Sequence, residues 1–161
     1  MVEEDHITAY AAHNAAFEAQ CFTPALPPIC TDKAALRIWP EAPGHANFAL
    51  AYWLEDTGCL RLDRTHIGTA HRAGPDAYAT AHILQALMAA GATIEQMIEW
   101  SQEPALMPTI RFGKHAGARW TDIPDGYLQW LLRTGDIDVD TQWNAQREID
   151  RRNATAFQRS G

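Results

Sequence analysis

The chain has 161 residues, of which 47% are hydrophobic, and a formal net charge of −7. This length predicts one domain, or one domain with a small appendage, and the apolar fraction excludes a disordered chain. No apolar run reaches the roughly 20 residues that span a bilayer. The first ten residues carry acids where a secretory signal has basic residues, so we expect a cytoplasmic protein without a membrane partner. The net charge does not indicate a nucleic-acid-binding protein, although a nuclease that holds metal ions needs acids in its site.

The first half of the chain alternates short strand-like and helical segments, separated by proline- and glycine-containing breaks. Asp32 is the expected N-cap of one helix, and Gly58 marks the expected end of another. The predicted elements are, in chain order, a strand at 7–14, a helix at 15–22, a strand at 29–32, and helices at 32–39 and 46–58.

The clearest helix in the sequence covers residues 76–91, DAYATAHILQALMAAG. Gly91 stands where a C-cap is expected. Thr93 and Gln96 have the spacing of a capping box, which predicts that a new helix begins after Thr93. Helical spacing places four apolar residues of the first helix in one row: Ala77, Ala81, Leu84 and Met88.

The character of the sequence changes near residue 104, and we place a domain boundary between an N-terminal part, 1–103, and a C-terminal part, 104–161. The C-terminal part predicts a small hairpin–helix module followed by a polar tail. Its elements are two short strands around a glycine-containing turn within 109–124, a helix at 125–133, and a polar helix within 135–157.

Two short motifs contain residue types suited to catalysis. In HRAGPDAYATAHIL, Asp76 opens the predicted helix, where a carboxylate meets free backbone N–H groups and the positive end of the dipole. This structural role does not account for His71, which precedes it on a loop and can reach the same carboxylate. In AHNAAFE, Glu18 follows a strand end, where ligand-binding groups collect in α/β folds, although a solvated helix residue is the alternative.

Together, a strand followed by HNxxF(D/E) and a downstream HxxxxD on a helix resemble the DnaQ-like, or DEDDh, family of 3′–5′ exonucleases. The stretches HRAGPDAYATAHIL and ALMPTIRFGKHAGARWTDIPDGYLQWLL are similar to its exodeoxyribonuclease X branch, and the resemblance extends from about residue 7 to about residue 140. It implies an α/β, ribonuclease H-like fold. It also implies metal-dependent hydrolysis of phosphodiester bonds that releases nucleotides from DNA 3′ ends, single-stranded ends included.

In that family, four carboxylates hold two Mg²⁺ or Mn²⁺ ions, and a histidine acts as the general base. Hard cations prefer oxygen ligands, and two ions activate the attacking water and stabilise the leaving oxygen. On the matching positions, Glu18 and Asp76 are expected to bind metal and His71 to accept the proton of the water. Asn14 and Phe17 are expected to support the motif that contains Glu18.

The chain departs from the family pattern in two places. Glu18 stands where Asp is usual, so its carboxylate reaches one methylene further. The family's first motif, Asp-x-Glu on the first strand, is expected well before AHNAAFE, and the acids at 3–5 have no flanking apolar strand. We therefore expect a helix-rich exonuclease fold truncated at its N-terminus, with exposed apolar surface and an unpaired strand edge. Such a chain is expected to have weak activity or none by itself.

The segment RFGKHAGARW places four basic residues around two glycines, with aromatic residues nearby. Basic residues beside aromatic faces that stack bases are typical of single-strand binding, whereas a packed hairpin with solvated basic residues is the alternative. A second hypothesis is therefore a non-catalytic relative that binds single-stranded nucleic acid or a protein partner. A homodimer and a polymerase or repair partner both remain open. The four basic residues are Arg111, Lys114, His115 and Arg119.

Overall fold

The computed structural model describes residues 7–20, 25–67 and 72–159 of the chain. The chain forms two compact units, Met1–Glu103 and Pro104–Gly161. The described part is rich in helices and contains one two-stranded parallel sheet, in agreement with the expected helix-rich α/β class. None of the described helices is long and apolar enough to cross a membrane.

The sheet of the first unit pairs β1 (Tyr10–Ala12) in parallel with β2 (Pro28–Cys30). Helix α1 (Ala15–Glu18) follows β1 almost directly. Both strands are shorter than predicted, and both end two residues early, because helical structure begins close behind each of them. Asn14 turns the chain out of β1 with a left-handed φ of 65°, a conformation that asparagine tolerates better than most residues. Thr31 is already the first residue of the next helix.

Four longer helices complete the first unit and pack around one apolar core. The largest fully buried apolar side chains of this unit lie on β2 and on all four of these helices. The helices are α2 (Thr31–Ile38), α3 (Asn47–Asp56), α4 (Ala73–Ala89) and α5 (Ile94–Gln102). The buried side chains are Ile29, Leu36, Leu50, Leu54, Ile83, Leu87 and Met97.

The starts of α2 and α4 differ from the prediction by one and three residues. Asp32 is not the N-cap of α2, since Cys30 occupies that position and Asp32 lies in the first turn. Helix α4 begins at Ala73 rather than at Asp76, which lies in its first turn. Pro75 is tolerated in this turn. Proline has no backbone N–H group, and the N–H groups of a first turn have no hydrogen-bonding partner within the helix in any case.

The buried face of α4 differs from the row of apolar residues expected from the sequence. Ala79, Ile83 and Leu87 are buried in the core, whereas Met88 is 50% exposed. The helix is apolar on most of its surface, so its periodicity does not determine which face is buried. Other large apolar side chains of this unit are also exposed, among them Phe17, in line with the expected exposed apolar surface.

The predicted start of α5 is confirmed, whereas the predicted C-cap of α4 is off by one residue, since Ala90 is the C-cap and Gly91 follows it. Gly91 has a φ of +97° and donates its N–H to the carbonyl of Met88 at 3.0 Å, which ends α4 in the left-handed conformation that glycine favours. Thr93 and Gln96 form the reciprocal hydrogen bonds of a capping box, at 3.2 and 3.0 Å, and α5 begins at the next residue.

The second unit contains two short 3₁₀ turns, Gly113–His115 and Trp120–Asp122, followed by α6 (Asp125–Arg133) and α7 (Val139–Arg159). Helix α6 has the bounds that the sequence predicts. The expected hairpin is largely wrong, since the described residues of this segment form a single antiparallel bridge, Thr109–Arg119. The segment between the bridged residues curls into a 3₁₀ turn instead of extending as two strands.

A buried carboxylate on α7 pairs with two arginines of the same helix, one of which links α7 to the rest of the second unit. Glu148 is 5% exposed and accepts hydrogen bonds from Arg151 and Arg152 at 2.7 to 2.8 Å. Hydrogen bonds from Arg151, with those from Arg152, lower the pKa of Glu148 to about 2. Arg152 also donates to the backbone carbonyls of Trp120 and Ile123, and so ties α7 to the second 3₁₀ turn.

Candidate active site

A cavity of about 860 Å³ lies in the first unit and is bordered by β1, α1, the start of α3 and one side of α4. Alanines and other apolar residues make up most of its wall. Ligand sites in proteins are commonly apolar cavities of this size with a few polar groups that orient the ligand. The polar side chains that line it, apart from Tyr10, are those of His13, Asn14, Glu18, Asn47, Asp76 and Thr80.

Both described carboxylates of the predicted site, Glu18 and Asp76, line this one cavity. Glu18 is the last residue of α1, and Asp76 lies in the first turn of α4, near the positive end of its dipole. Neither side chain forms a hydrogen bond or ion pair with another described residue. Both are therefore available to a ligand in the cavity.

The structure describes two of the three other residues predicted for this site, which are Asn14, Phe17 and His71. Asn14 lines the cavity and starts α1 without a side-chain capping bond. Phe17 also lines the cavity but is 59% exposed, so it does not serve as a packed core residue. His71, the predicted general base, lies outside the described residues.

Asn47, which the sequence analysis missed, holds the first turn of α4. Its amide nitrogen Nδ2 donates to the carbonyl of Asp76 at 3.0 Å and contacts the hydroxyl of Thr80 at 3.3 Å. The Thr80 hydroxyl itself donates to the same carbonyl at 2.9 Å. The oxygen Oδ1 of Asn47 is buried and has no partner among the described residues. No sequence rule links Asn47 to a residue so distant along the chain.

His13, the first residue of the HNxxF motif, was given no role of its own in the sequence analysis, and it joins the end of β1 to neighbouring segments. Its Nε2 lies 2.6 Å from the carbonyl of His45, and its Nδ1 lies 3.0 Å from the hydroxyl of Thr31. These partners assign the proton to Nε2, with Nδ1 accepting from the hydroxyl. Burial lowers the pKa of His13, which keeps the ring neutral and suits a structural role. Its position beside Asn14 in the motif is the signal that could have drawn attention to it.

The donor groups fit a divalent cation in part. Carboxylate oxygens are the ligands that Mg²⁺ and Mn²⁺ prefer, and Glu18 and Asp76 present two of them without protein partners. Within the ranges 7–20, 25–67 and 72–159, no group of three or more His, Cys, Asp and Glu side chains is arranged to hold a metal ion. The described residues therefore supply two carboxylates at this cavity but no complete set of metal ligands.

The four basic residues predicted to bind nucleic acid lie in the second unit and differ in their surroundings. The ammonium group of Lys114 lies 5.4 Å from the centre of the Tyr127 ring, and the His115 ring meets that ring edge-on at 4.6 Å. Arg119 instead forms an ion pair with Asp122 at 3.1 Å. Arg111 is exposed and forms no ion pair with a described residue.

No family model matches the chain. Among solved structures, one described as "Exonuclease X in complex with 5′ overhanging duplex DNA" aligns with a TM-score of 0.49 and 33% sequence identity, over 60% of this chain and 56% of that chain. Exodeoxyribonuclease 10 of Escherichia coli strain K12 is 38% identical over 133 residues, which are 79% of this chain and 58% of that protein, and its counterpart in Escherichia coli O6:H1 gives the same values. The chain thus spans less than two thirds of the length of these relatives. This identity agrees with the motifs: the chain is an exodeoxyribonuclease X-like relative of the DnaQ-like exonucleases.

Proposed function

We propose that this chain contributes to a 3′–5′ exodeoxyribonuclease site that hydrolyses phosphodiester bonds with Mg²⁺ or Mn²⁺ and releases nucleotides from DNA 3′ ends. The proposal is supported by 38% identity with a protein named exodeoxyribonuclease 10. The observation that carries it is the position of Glu18 and Asp76, two carboxylates without partners among the described residues, on the wall of one cavity. Both residues are half-buried, so their carboxylates are accessible to a ligand that enters the cavity.

Each residue has a defined task in this proposal. Glu18 and Asp76 provide oxygen ligands, and a divalent cation, when bound, supplies Lewis-acid chemistry that activates water and stabilises the leaving 3′ oxygen. Asn47 holds the backbone of Asp76 and thereby orients its carboxylate. His71 takes the proton of the attacking water, and Asn14 sets the turn that leads into the helix ending at Glu18.

We further propose that the site needs carboxylates in addition to Glu18 and Asp76. Two-ion catalysis requires more ligands than these two residues supply, and the described residues contain no group of three possible ligands. Residues 1–103 then represent part of a ribonuclease H-like exonuclease domain, and residues 104–161 an exodeoxyribonuclease X-like C-terminal module. The 161 residues alone are accordingly weakly active or inactive.

Manganese binding to the purified chain, measured by electron paramagnetic resonance, tests the site directly. Binding should be lost in Glu18→Gln and in Asp76→Asn and should be unchanged in Asp56→Asn, which alters an exposed acid that does not line the cavity. Equal binding in all four proteins would contradict the assignment. Glu18→Asp tests the longer reach of this carboxylate, and it should retain binding.

A nuclease assay tests the incompleteness separately. With 3′-labelled single-stranded DNA and millimolar Mg²⁺, the chain should release no nucleotides above background. Robust degradation from the 3′ end that is abolished by His71→Ala would show that the 161 residues contain a complete site.

A second candidate function is a non-catalytic relative that binds single-stranded nucleic acid or a protein partner. The basic and aromatic residues of the second unit favour it, as does the exposure of Phe17 beside the cavity. The two candidates differ in one measurement, because a purely binding protein needs no manganese at Glu18 and Asp76. Homodimerisation or binding to a polymerase or repair protein would be detected by the mass of the particle in solution.

A further inference from the structure

Charge is distributed unevenly along the chain. Residues 104–161 contain eight of the thirteen Lys and Arg residues and seven of the twenty acids, which gives a formal net charge of +1. Residues 1–103 carry the remaining charges, with a net charge of −8. The overall acidity of the chain therefore belongs to the first unit. A local cationic surface attracts polyanions whatever the total charge of the protein, and the second unit carries most of the basic residues that could form such a surface.

Three of the eight basic side chains of the second unit form ion pairs with described residues of that unit. Arg119 pairs with Asp122, and Arg151 and Arg152 pair with the buried carboxylate of Glu148. In contrast, the exposed residues Arg111 and Lys114 form no ion pair with any described residue. Their charges are therefore available to a ligand.

Lys114 lies beside three aromatic rings. We call this cluster the Tyr127 platform, and it consists of Lys114, His115, Tyr127 and Trp130. The Tyr127 ring lies 4.6 Å from the ring of His115 and 5.1 Å from that of Trp130, and the Lys114 ammonium group lies 5.4 Å from its centre. Trp130 is 45% exposed, although a tryptophan normally buries most of its large apolar surface. The platform thus combines an open aromatic face with an unpaired cation.

The backbone is adapted to bring this cluster together. Gly113 has a φ of +71°, and a Cβ atom added to it would lie 2.5 Å from the hydroxyl oxygen of Tyr127. A residue with a side chain therefore does not fit, and glycine allows the loop that carries Lys114 and His115 to approach the ring closely. The Nε2 atom of His115 is buried and has no partner among the described residues.

We propose that the Tyr127 platform, together with Arg111 two residues before Gly113, binds single-stranded nucleic acid. A base stacks on the exposed face of Trp130, and the adjoining phosphates contact Lys114 and Arg111. Stacking of unpaired bases on aromatic rings beside cations that follow the backbone is the general mode of binding to single strands. A duplex keeps its bases stacked inside and cannot use the Trp130 face. The site is independent of the nuclease proposal, since it needs neither metal nor the cavity of the first unit.

Fluorescence anisotropy of a labelled oligothymidylate, titrated with the full chain in EDTA, tests this site. Trp130→Ala should raise Kd by about 5- to 100-fold, which corresponds to the loss of one stacked base. Lys114→Ala should raise Kd as well and lower the slope of log Kd against log salt concentration by about 0.7, because one phosphate contact is lost. Lys114 is exposed, so this variant leaves the packing of the unit intact.

Two control variants match these changes elsewhere in the unit. Arg147→Ala removes an exposed cation that lies 5.8 Å from the Trp143 ring, and Phe157→Ala removes an aromatic side chain that is 83% exposed. Both should leave Kd unchanged, and the EDTA in the titration separates this site from the metal site. Oligouridylate of the same length should bind with similar Kd if phosphates and stacking dominate.

Several results would overturn the proposal. They are the absence of binding, an unchanged Kd in both Lys114→Ala and Trp130→Ala, an equal loss in Arg147→Ala, and tighter binding to a blunt duplex than to the single strand.

Discussion

Two acidic residues, one in each unit, show how differently the molecule uses carboxylates. Glu148 of α7 is almost fully buried, and two guanidinium groups satisfy its oxygens and hold its pKa at about 2. Asp76 of α4 lies on a cavity wall, and its side chain has no hydrogen-bonding partner among the described residues. A charge that the fold needs is paired inside the protein, because an unpaired buried charge is costly. A charge that remains unpaired at a cavity is available for a ligand.

The largest expected effect comes from the paired carboxylate and its titration. Because the pKa of Glu148 is lowered from 4.5 to about 2 in the folded protein, its contribution to stability is present above pH 4.5 and is lost as the pH falls toward 2. The full contribution is about 3 kcal/mol. Urea unfolding at neutral pH should show Glu148→Gln to be less stable by a similar amount, and its pH dependence between 4.5 and 2 should be correspondingly smaller.

Asp150→Asn is the matched control for this titration, because Asp150 is an exposed acid on the same helix whose carboxylate accepts a hydrogen bond from Gln146 and from no other described residue. It should change the free energy of unfolding by no more than about 0.5 kcal/mol. If Asp150→Asn and Glu148→Gln had equal effects, the carboxylate of Glu148 would not be the paired structural charge described above.

The sequence predicts features that depend on neighbouring residues and fails where distant segments meet. The capping box of Thr93 and Gln96 and the bounds of α6 follow from short-range chemistry and are confirmed, and Gly91 adopts the left-handed conformation one residue after the C-cap of α4. The hairpin within 109–124 is wrong, because the glycine-containing segment closes on Tyr127 through a contact that only the folded unit creates. The spacing of apolar residues also could not predict which face of α4 is buried, since that helix is apolar on nearly all sides.

The candidate site was predictable to a similar degree. Glu18 and Asp76 come from motifs that can be read in the sequence, and they line one cavity, while their roles as ligands stay a prediction. Asn47 was not predictable, because its bond to the carbonyl of Asp76 joins two helices and leaves no pattern along the chain. Residues that position a catalytic group through the backbone are generally of this kind.

The second prediction concerns Asn47 and tests whether its hydrogen bond to the backbone of Asp76 positions the Asp76 carboxylate. Asn47→Ala removes the hydrogen bond to the carbonyl of Asp76 and should lower the free energy of unfolding by about 1 kcal/mol. It should also weaken manganese binding by roughly 3- to 10-fold, since the first turn of α4 loses a restraint. Asn153→Ala, at an exposed position of α7, is the control and should change neither quantity. Lower stability with unaltered manganese affinity would leave Asn47 with a purely structural role.

We expect Asp76→Asn to change stability least. It can be compared directly with Glu148→Gln, because both substitutions replace a carboxylate with an amide. No described side chain bonds to the Asp76 carboxylate, so the fold loses only its interaction with the positive end of the α4 dipole. The free energy of unfolding, measured in urea without metal, should fall by no more than about 0.5 kcal/mol. A loss near that of Glu148→Gln would make Asp76 a structural acid. A nearly unchanged stability with abolished manganese binding is the combination expected of a ligand-binding residue, since such a residue contributes to the complex and not to the empty fold.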